Sequence, residues 1–314
     1  MKNYVGIDIS KKDFYASSSE EDAPLKYDNS KTGLKAFCKQ LKKLNFQPDN
    51  TEIGVESTGA YHYLLAMYCT NKGYTVKVIN SLIVKKHNQT NLRRVKNDSK
   101  DSMLIRYCLV QGFGYPFQET PESILIRTIL RQRNSLADLR RTFKVKQVDL
   151  ELKETSLNIK LPEVNKDIIS FVSEQMNELD KKMKQFEPQL QKLLQTIPGV
   201  GPITAISFIA ELGNIERFSS SKKLTAFVGL DSRVHQSGTS INGLGYISKR
   251  GNKILRTRLF NASMVAVQRP NIFKTFFDKK ISEGKPYMVA LCATMHKMVH
   301  VIYAVWSRGT PFVA

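Results

Sequence analysis

Residues 4–9, Tyr-Val-Gly-Ile-Asp-Ile, decide the fold class, because they form a short apolar run with one acidic residue inside it. Such a run, followed by polar residues, is typical of a buried β-strand. Residues 51–56, Thr-Glu-Ile-Gly-Val-Glu, predict a second strand, and residues 74–79 predict a third. The spacing of apolar residues between these strands predicts helices over 31–45 and 59–72. Alternating strands and helices indicate an α/β domain whose sheet contains at least some parallel strands.

The middle of the chain has a different pattern, without glycine from residue 122 to residue 190. From Val172 to Leu193, apolar residues recur in alternating steps of four and three, which is the pattern of a coiled-coil seam. Pro162 divides this region into two long helices, and Pro188 predicts a kink or break in the second. The region is therefore predicted to be a helical hairpin. Two roles stay open for it: a helix pair packed on itself, or an arm that joins two copies of the chain.

The charge of the chain is strongly positive. It has 48 Lys and Arg against 28 Asp and Glu, which gives a formal net charge of +20. Residues 1–118 carry 18 basic and 11 acidic side chains, residues 119–190 carry 13 and 12, and residues 191–314 carry 17 and 5. We predict three domains with these boundaries and a polyanionic partner, most simply nucleic acid. The sequence shows neither a run of about 20 apolar residues nor a signal peptide, so we expect a cytoplasmic protein without a membrane span.

Four acidic residues are candidate metal ligands: Asp8, Glu56, Asp98 and Asp101. Asp8 and Glu56 end otherwise apolar strands, where a charge without a partner is costly. Asp98 and Asp101 are three residues apart at the start of a predicted helix, so both lie on one helix face. Clustered carboxylates need a compensating cation, and their oxygen atoms select Mg²⁺ or Mn²⁺. Two such ions suit phosphodiester cleavage. Taken alone, any one of these acids is more often a solvated surface residue or a helix cap.

Basic residues next to this helix, and a glycine turn further on, are candidate contacts to nucleic acid. Arg93, Arg94 and Lys96 precede the acidic helix and are suited to grip phosphates, with a solvated polar face as the alternative interpretation. In the turn Pro-Gly-Val-Gly-Pro, Gly199 and Gly201 are positioned to present backbone N–H groups to a phosphate, as in a helix-hairpin-helix element. A plain tight turn between packed helices is the alternative interpretation of these glycines.

A second compact domain is predicted after residue 197, with helices over 252–268 and 286–306. The first of these helices begins within a basic segment that we expect to bind nucleic acid. Its candidate residues are Lys249, Arg250, Lys253 and Arg256.

Six segments carry a resemblance to a known family. The chain contains, in this order, GIDIS, GVESTG, KNDSKDS, IPGVGPITA, FVGLDSRVHQSG and GYISKRGNKILR. Together they resemble the DEDD transposases of insertion-sequence family 110, which are bridge-RNA-guided recombinases. The resemblance implies an RNase H-like domain similar to RuvC resolvase over 1–118, a coiled-coil insertion over 119–190 and a mostly α-helical transposase domain over 191–314.

The resemblance also implies residue roles. The acidic tetrad of the family maps onto the four acids named above, and its nucleophilic serine maps onto Ser237. Ser248 is a second candidate, although we expect it to cap the basic helix instead. The family usually has threonine where this chain has Asn97, a departure for which we expect little consequence.

The implied reaction is attack of Ser237 on a DNA phosphodiester, giving a phosphoserine link, with Mg²⁺ or Mn²⁺ held by the tetrad. The implied assembly is a dimer of dimers on bridge RNA, donor DNA and target DNA, in a bacterial cytoplasm and at the nucleoid. Two alternatives stay open: a RuvC-like Holliday-junction endonuclease that uses water, and a nucleic-acid-binding scaffold without catalysis.

Overall fold

The computed structural model describes residues 2–21, 23–57, 59–89, 98–231 and 247–313, without the side chains of residues 88, 89, 98 and 99. The chain divides into two compact units, Met1–Glu119 and Thr120–Ala314. The first unit contains a mixed β-sheet with helices, and the second is mostly helical, as the sequence predicted. The further division of the second unit at residue 190 stays a prediction.

One sheet of six strands lies in the described part of the first unit. The strands are β1 (Asn3–Ile9), β2 (Asp13–Ser17), β3 (Leu25–Asp28), β4 (Thr51–Glu56), β5 (Thr75–Ile79) and β6 (Tyr115–Pro116). Their order across the sheet is β3-β2-β1-β4-β5-β6. β4 lies between β1 and β5 and is parallel to both, as expected. β2 is antiparallel to β1, β3 is antiparallel to β2, and β6 is antiparallel to β5. The sequence did not predict these last three strands.

Helices cover both faces of this sheet. They are α1 (Lys31–Lys43), α2 (His62–Asn71), α3 (Ser81–Gln89) and α4 (Asp98–Val110). Because side chains alternate along a strand, Val5, Ile7 and Ile9 all face the layer of α1 and α2, with which they share one buried core. Tyr4 faces the other way and packs in the cluster formed by α3 and α4, beside Ile105. Asp8 has the same parity as Tyr4 and therefore faces α4.

The second unit begins with two antiparallel helices, α5 (Pro121–Leu157) and α6 (Val164–Lys184). Arg133 of α5 forms an ion pair with Asp180 of α6 at 3.0 Å, while Arg140, two turns further along α5, reaches Ser173. The second contact lies later in α5 and earlier in α6, so the two helices run in opposite directions. The proline at 162 lies in the connection between them, as predicted. The helical hairpin is therefore confirmed.

The remaining helices pack around one core at the root of the hairpin. They are α7 (Pro188–Gln195), α8 (Pro202–Leu212), α9 (Ser221–Val228), α10 (Lys253–Ala266), α11 (Ile272–Ser282) and α12 (Tyr287–Arg308). Pro188 starts α7 after α6 has ended, which is the predicted break. The core contains Phe208, Leu224, Leu259 and Met298, each fully buried.

Helix α12 is long and apolar enough to cross a membrane, with a mean hydropathy of 1.5, which the sequence analysis did not anticipate. Its buried face contains Leu291, Met295, Val299 and Ile302. Three of these residues, Met295, Val299 and Ile302, belong to the same core as α8 and α10. Packing against this core therefore accounts for the apolar residues on the buried face of α12.

Candidate metal centre and nucleic-acid interface

Asp8 and Glu56 lie at the carboxyl ends of two neighbouring parallel strands. Ile7 of β1 is paired with Val55 of β4, so one further step along this register brings Asp8 opposite Glu56. Glu56 is the last residue of β4, and Asp8 is the penultimate residue of β1. Both side chains are half-buried. The two acids that the sequence singled out in apolar strands are therefore neighbours at one edge of the sheet.

Two glycines show that α4 covers the face to which these acids point. Gly6 and Gly54 are each two residues before one of the acids and therefore face the same way. A Cβ atom on Gly6 would lie 2.2 Å from the carbonyl oxygen of Ser102 in α4. A Cβ atom on Gly54 would lie 3.2 Å from the side chain of Leu109. Only a residue without a side chain allows α4 to approach β1 this closely.

Helix α4, whose first turn holds Asp98 and Asp101, crosses β1 and β4 at the level of Gly6 and Gly54. Ser102 and Arg106 lie over Gly6, and the guanidinium of Arg106 donates a hydrogen bond to the carbonyl of Ser18. Leu109 lies over Gly54, which is the partner of Gly6 in β4. These contacts fix α4 on the face of the sheet to which Asp8 and Glu56 point.

Asp101 lies on the inward side of this first turn. It is half-buried and precedes the buried Ile105 and Cys108 by four and seven residues, a spacing that puts all three on one helix face. Asp98 is the first residue of α4, and its side chain lies outside the described residues. The strand register brings Asp8 and Glu56 together, and the approach of Asp98 and Asp101 to them stays a prediction.

Carboxylate oxygens at this edge are suitable donors for Mg²⁺ or Mn²⁺. Among the side chains that the structure describes, no group of three His, Cys, Asp or Glu is arranged to hold a metal ion. The side chain of Asp98 is not among these described side chains. The oxygen donors of Asp8 and Glu56 fit a divalent ion, and the ligand set stays a prediction.

Four predicted site residues lie outside the described part of the chain. They are the proposed nucleophile Ser237 and the basic residues Arg93, Arg94 and Lys96.

Ser248 does not cap α10, so the expectation that it caps the basic helix was wrong. The cap of this helix is Asn252, whose side-chain oxygen accepts a hydrogen bond from the N–H of Leu255 at 3.0 Å. Ser248 is buried, and its hydroxyl donates to the carboxylate of Asp231. A cap residue stands immediately before the first helical residue, and Asn252 occupies that position. Ser248 instead ties the preceding segment to the end of α9.

Three of the predicted basic residues around this helix start are exposed: Lys249, Arg250 and Lys253. Arg256 is half-buried, and its guanidinium donates to the carbonyl of Val228 at 2.9 Å, so part of its hydrogen-bonding capacity stabilises the fold. Cations at the amino end of a helix are unfavourable towards the helix dipole. The three exposed charges therefore do not serve the stability of α10, and a bound anion would compensate them.

The two glycines of the Pro-Gly-Val-Gly turn differ in their surroundings. Gly199 has φ +86°, and a Cβ atom there would lie 2.3 Å from the carbonyl oxygen of Ala262 in α10. This glycine is needed for packing between helices, which was the alternative interpretation of the turn. Around Gly201, no described atom lies within 4 Å of a Cβ position. Gly201, which precedes the first turn of α8, keeps room for a phosphate.

The sequence analysis missed Glu211, a buried acid in the apolar helix α8. Its carboxylate contacts Arg131 of the hairpin and Asn252 of the α10 cap. The sequence signal that could have identified Glu211 is the one that identified Asp8, namely an acidic residue inside an apolar run.

Two family models match the chain. A model described as "Transposase" matches residues 5–151, and one described as "Transposase IS116/IS110/IS902 family" matches residues 191–278. The first match contains the acidic edge, and the second contains α8 to α10 with the basic segment.

The chain is also similar to individual proteins that are named for DNA inversion or transposition. The chain is 27% identical over 321 residues to the pilin gene-inverting proteins of Moraxella lacunata and Moraxella bovis, which covers 99% of this chain and 98% of each relative. It is 38% identical over 118 residues to the transposase for insertion sequence element IS1111A of Coxiella burnetii, which covers 37% of this chain and 32% of that protein.

The sheet with its acidic edge, the helical unit and these matches define the class of protein: a transposase, an enzyme that cuts and joins DNA. Within this class, the chain belongs to the IS110 family.

Proposed function

We propose that this transposase is an RNA-guided DNA recombinase that joins an insertion sequence to its target through a phosphoserine intermediate. The observation that supports this most is the alignment of Asp8 with Glu56 on the sheet face that α4 covers. Acidic residues brought together in a strongly basic protein suit a reaction on a polyanion. The whole-length similarity to pilin gene-inverting proteins supports it too, because inversion of a gene requires both cutting and rejoining of DNA.

In the proposed reaction, the hydroxyl oxygen of Ser237 bonds to the scissile phosphorus, and the bond from phosphorus to one deoxyribose oxygen breaks. The serine proton ends on the departing hydroxyl. A hydroxyl oxygen from the other DNA then bonds to the phosphorus, the bond from phosphorus to the serine oxygen breaks, and the proton of the attacking hydroxyl restores the serine hydroxyl. One phosphate ester is exchanged for another in each step, so bond energy is conserved. Mg²⁺ or Mn²⁺ held by Asp8, Glu56, Asp98 and Asp101 would neutralise charge that develops on the phosphate oxygens.

The finer architecture belongs to the same proposal. Residues 1–118 would form a RuvC-like RNase H fold and residues 119–190 a coiled coil that joins protomers. Residues 191–314 would carry the serine and the helix-hairpin-helix-like element. Two dimers would assemble on bridge RNA, donor DNA and target DNA, at the bacterial nucleoid. Base pairing with the guide would select the sequence, while Lys249, Arg250 and Lys253 grip backbones.

Trapping the covalent intermediate tests this function. The protein is mixed with labelled donor and target DNA, Mg²⁺ and RNA transcribed from the non-coding DNA flanking its insertion sequence. It is then denatured to reveal protein bound to DNA. We expect an adduct for the wild type and for the matched serine variant Ser240→Ala, and none for Ser237→Ala. Asp8→Asn should lower the adduct yield at least about 100-fold, because it removes a proposed metal ligand.

Each other outcome identifies a different function. Cleavage of a four-way junction without an adduct would support a Holliday-junction endonuclease. Binding without cleavage, unchanged in Asp8→Asn, would support a scaffold. Equal activity with and without the RNA would contradict RNA guidance while leaving the recombinase chemistry in place.

A further inference from the structure

The buried carboxylate of Glu211 joins three helices of the second unit. Its oxygens accept two hydrogen bonds from the guanidinium of Arg131 in α5, each at 3.1 Å. One of the same oxygens accepts a third hydrogen bond from the side-chain amide of Asn252, at 2.7 Å. The side chain of Glu211 is only 3% exposed, against 57% for Arg131. A carboxylate this buried requires partners, and its partners come from the hairpin and from the start of α10.

Glu211 also sets the orientation of the Asn252 amide. The amide nitrogen must point to the carboxylate, because a carboxylate can only accept hydrogen bonds. The amide oxygen then points to the N–H of Leu255, which it caps at 3.0 Å. Asn252 is next to Lys253 and two residues from Arg250, so the cap fixes the backbone from which these exposed cations extend.

Two further contacts tie the same side of the hairpin to this region. Arg127 donates from Nε to the carbonyl of Ala210 at 2.9 Å, and Arg258 of α10 donates to the side chain of Asn134. Arg127, Arg131 and Asn134 are spaced by four and three residues, so they form one stripe along α5. The root of the hairpin is thus bonded both to α8 and to α10.

We propose that Glu211 is a positioning residue, which holds the start of α10 against the root of the hairpin so that the exposed cations there contact DNA phosphates together. The inference rests on the proposed function in one respect, that the basic segment binds DNA. It adds that the hairpin controls this grip through Arg131 and Glu211. A shift of the hairpin would therefore change DNA affinity although it touches none of the three cations.

The test measures binding of a fluorescein-labelled DNA duplex to the full chain over a range of NaCl concentrations. Glu211→Gln keeps the side-chain volume, and Asn252→Ser keeps a good helix cap but loses the amide that reaches Glu211. We expect both variants to reduce the slope of log affinity against log salt by about one unit, and affinity at low salt about ten-fold. Glu216→Gln, an exposed acid of the same unit with the same charge change, should match the wild type.

A double-mutant cycle separates positioning from direct contact. If Arg131 acts through Glu211, Arg131→Gln should weaken binding in the wild type and have little further effect in Glu211→Gln. Additive losses would show that Arg131 binds DNA itself and would overturn the proposal. Unchanged slopes in both Glu211→Gln and Asn252→Ser would also overturn it.

Two controls keep the outcomes distinct. If Glu211→Gln does not fold, Asn252→Ser decides the matter, since it leaves the ion pair with Arg131 in place. If the wild type shows no salt-dependent binding, or Lys253→Ala leaves the slope unchanged, the proposed DNA contact fails. If Lys253→Ala lowers the slope but the Glu211 and Asn252 variants do not, the positioning role alone fails.

Discussion

Replacing Gly199 with alanine should destabilise the second unit, while the same change at Gly201, two residues away, should not. At Gly199 the backbone has φ +86°, which costs alanine about 1 kcal/mol. The new methyl group would also lie 2.3 Å from the carbonyl oxygen of Ala262 and 2.8 Å from the side chain of Ala266. Relieving such overpacking costs about 1–3 kcal/mol. The sum is about 2–4 kcal/mol.

At Gly201 the backbone has φ −88°, and no described atom lies within 4 Å of the added methyl group. Alanine there should cost less than about 1 kcal/mol, because the position precedes α8 and glycine is the better cap.

Thermal denaturation followed by circular dichroism measures the difference. For a unit of this size, the Gly199→Ala midpoint should fall by about 5–15 °C and the Gly201→Ala midpoint by less than about 4 °C. Equal midpoints for the two variants would refute the packing role of Gly199 and would favour the predicted phosphate-binding role instead.

Two further predictions concern other parts of the fold. Gly6→Ala should destabilise the first unit by about 3 kcal/mol, because the added methyl group would lie 2.2 Å from the backbone of α4. An unchanged midpoint in thermal denaturation would contradict the packing of α4 on β1. Burial, together with the neighbouring His300, lowers the pKa of His296 below its ordinary value. The unfolded chain then binds more protons than the folded one, so stability should fall as the pH drops below about 6.5. His296→Gln should reduce this loss in denaturation series at several pH values, and an identical pH dependence would exclude His296 as its source.

The apolar strands and the hairpin could be predicted because their patterns are local. Val5, Ile7 and Ile9 alternate with smaller or polar residues, and burial of one face of β1 requires this alternation. Asp8 stood out for the same reason, since a charge in such a strand needs a partner. The apolar steps that begin at Val172 likewise predicted a buried helix face, and Val172, Met176 and Met183 of α6 are buried.

Features that depend on contacts distant in sequence could not be predicted in this way. β2 is short and lies among charged and serine residues, so the buried Phe14 and Ala16 gave too little alternation to predict a strand. Gly199 resembled a phosphate-binding glycine until its contact with Ala262 in α10 was known. Which residue caps α10 was equally ambiguous, because Ser248 and Asn252 are both good caps and only the helix boundary distinguishes them.

The close approach of α4 to β1 has a consequence for how this family can vary. A slip of β1 by one residue would turn Asp8 to the opposite side of the sheet and place a bulky isoleucine where Gly6 now admits the helix. The glycine that makes room for α4 thus also fixes the register that turns Asp8 to the same face of the sheet as Glu56. Substitutions at Gly6 should consequently impair folding and activity together. Similar substitutions elsewhere on the sheet should be tolerated better.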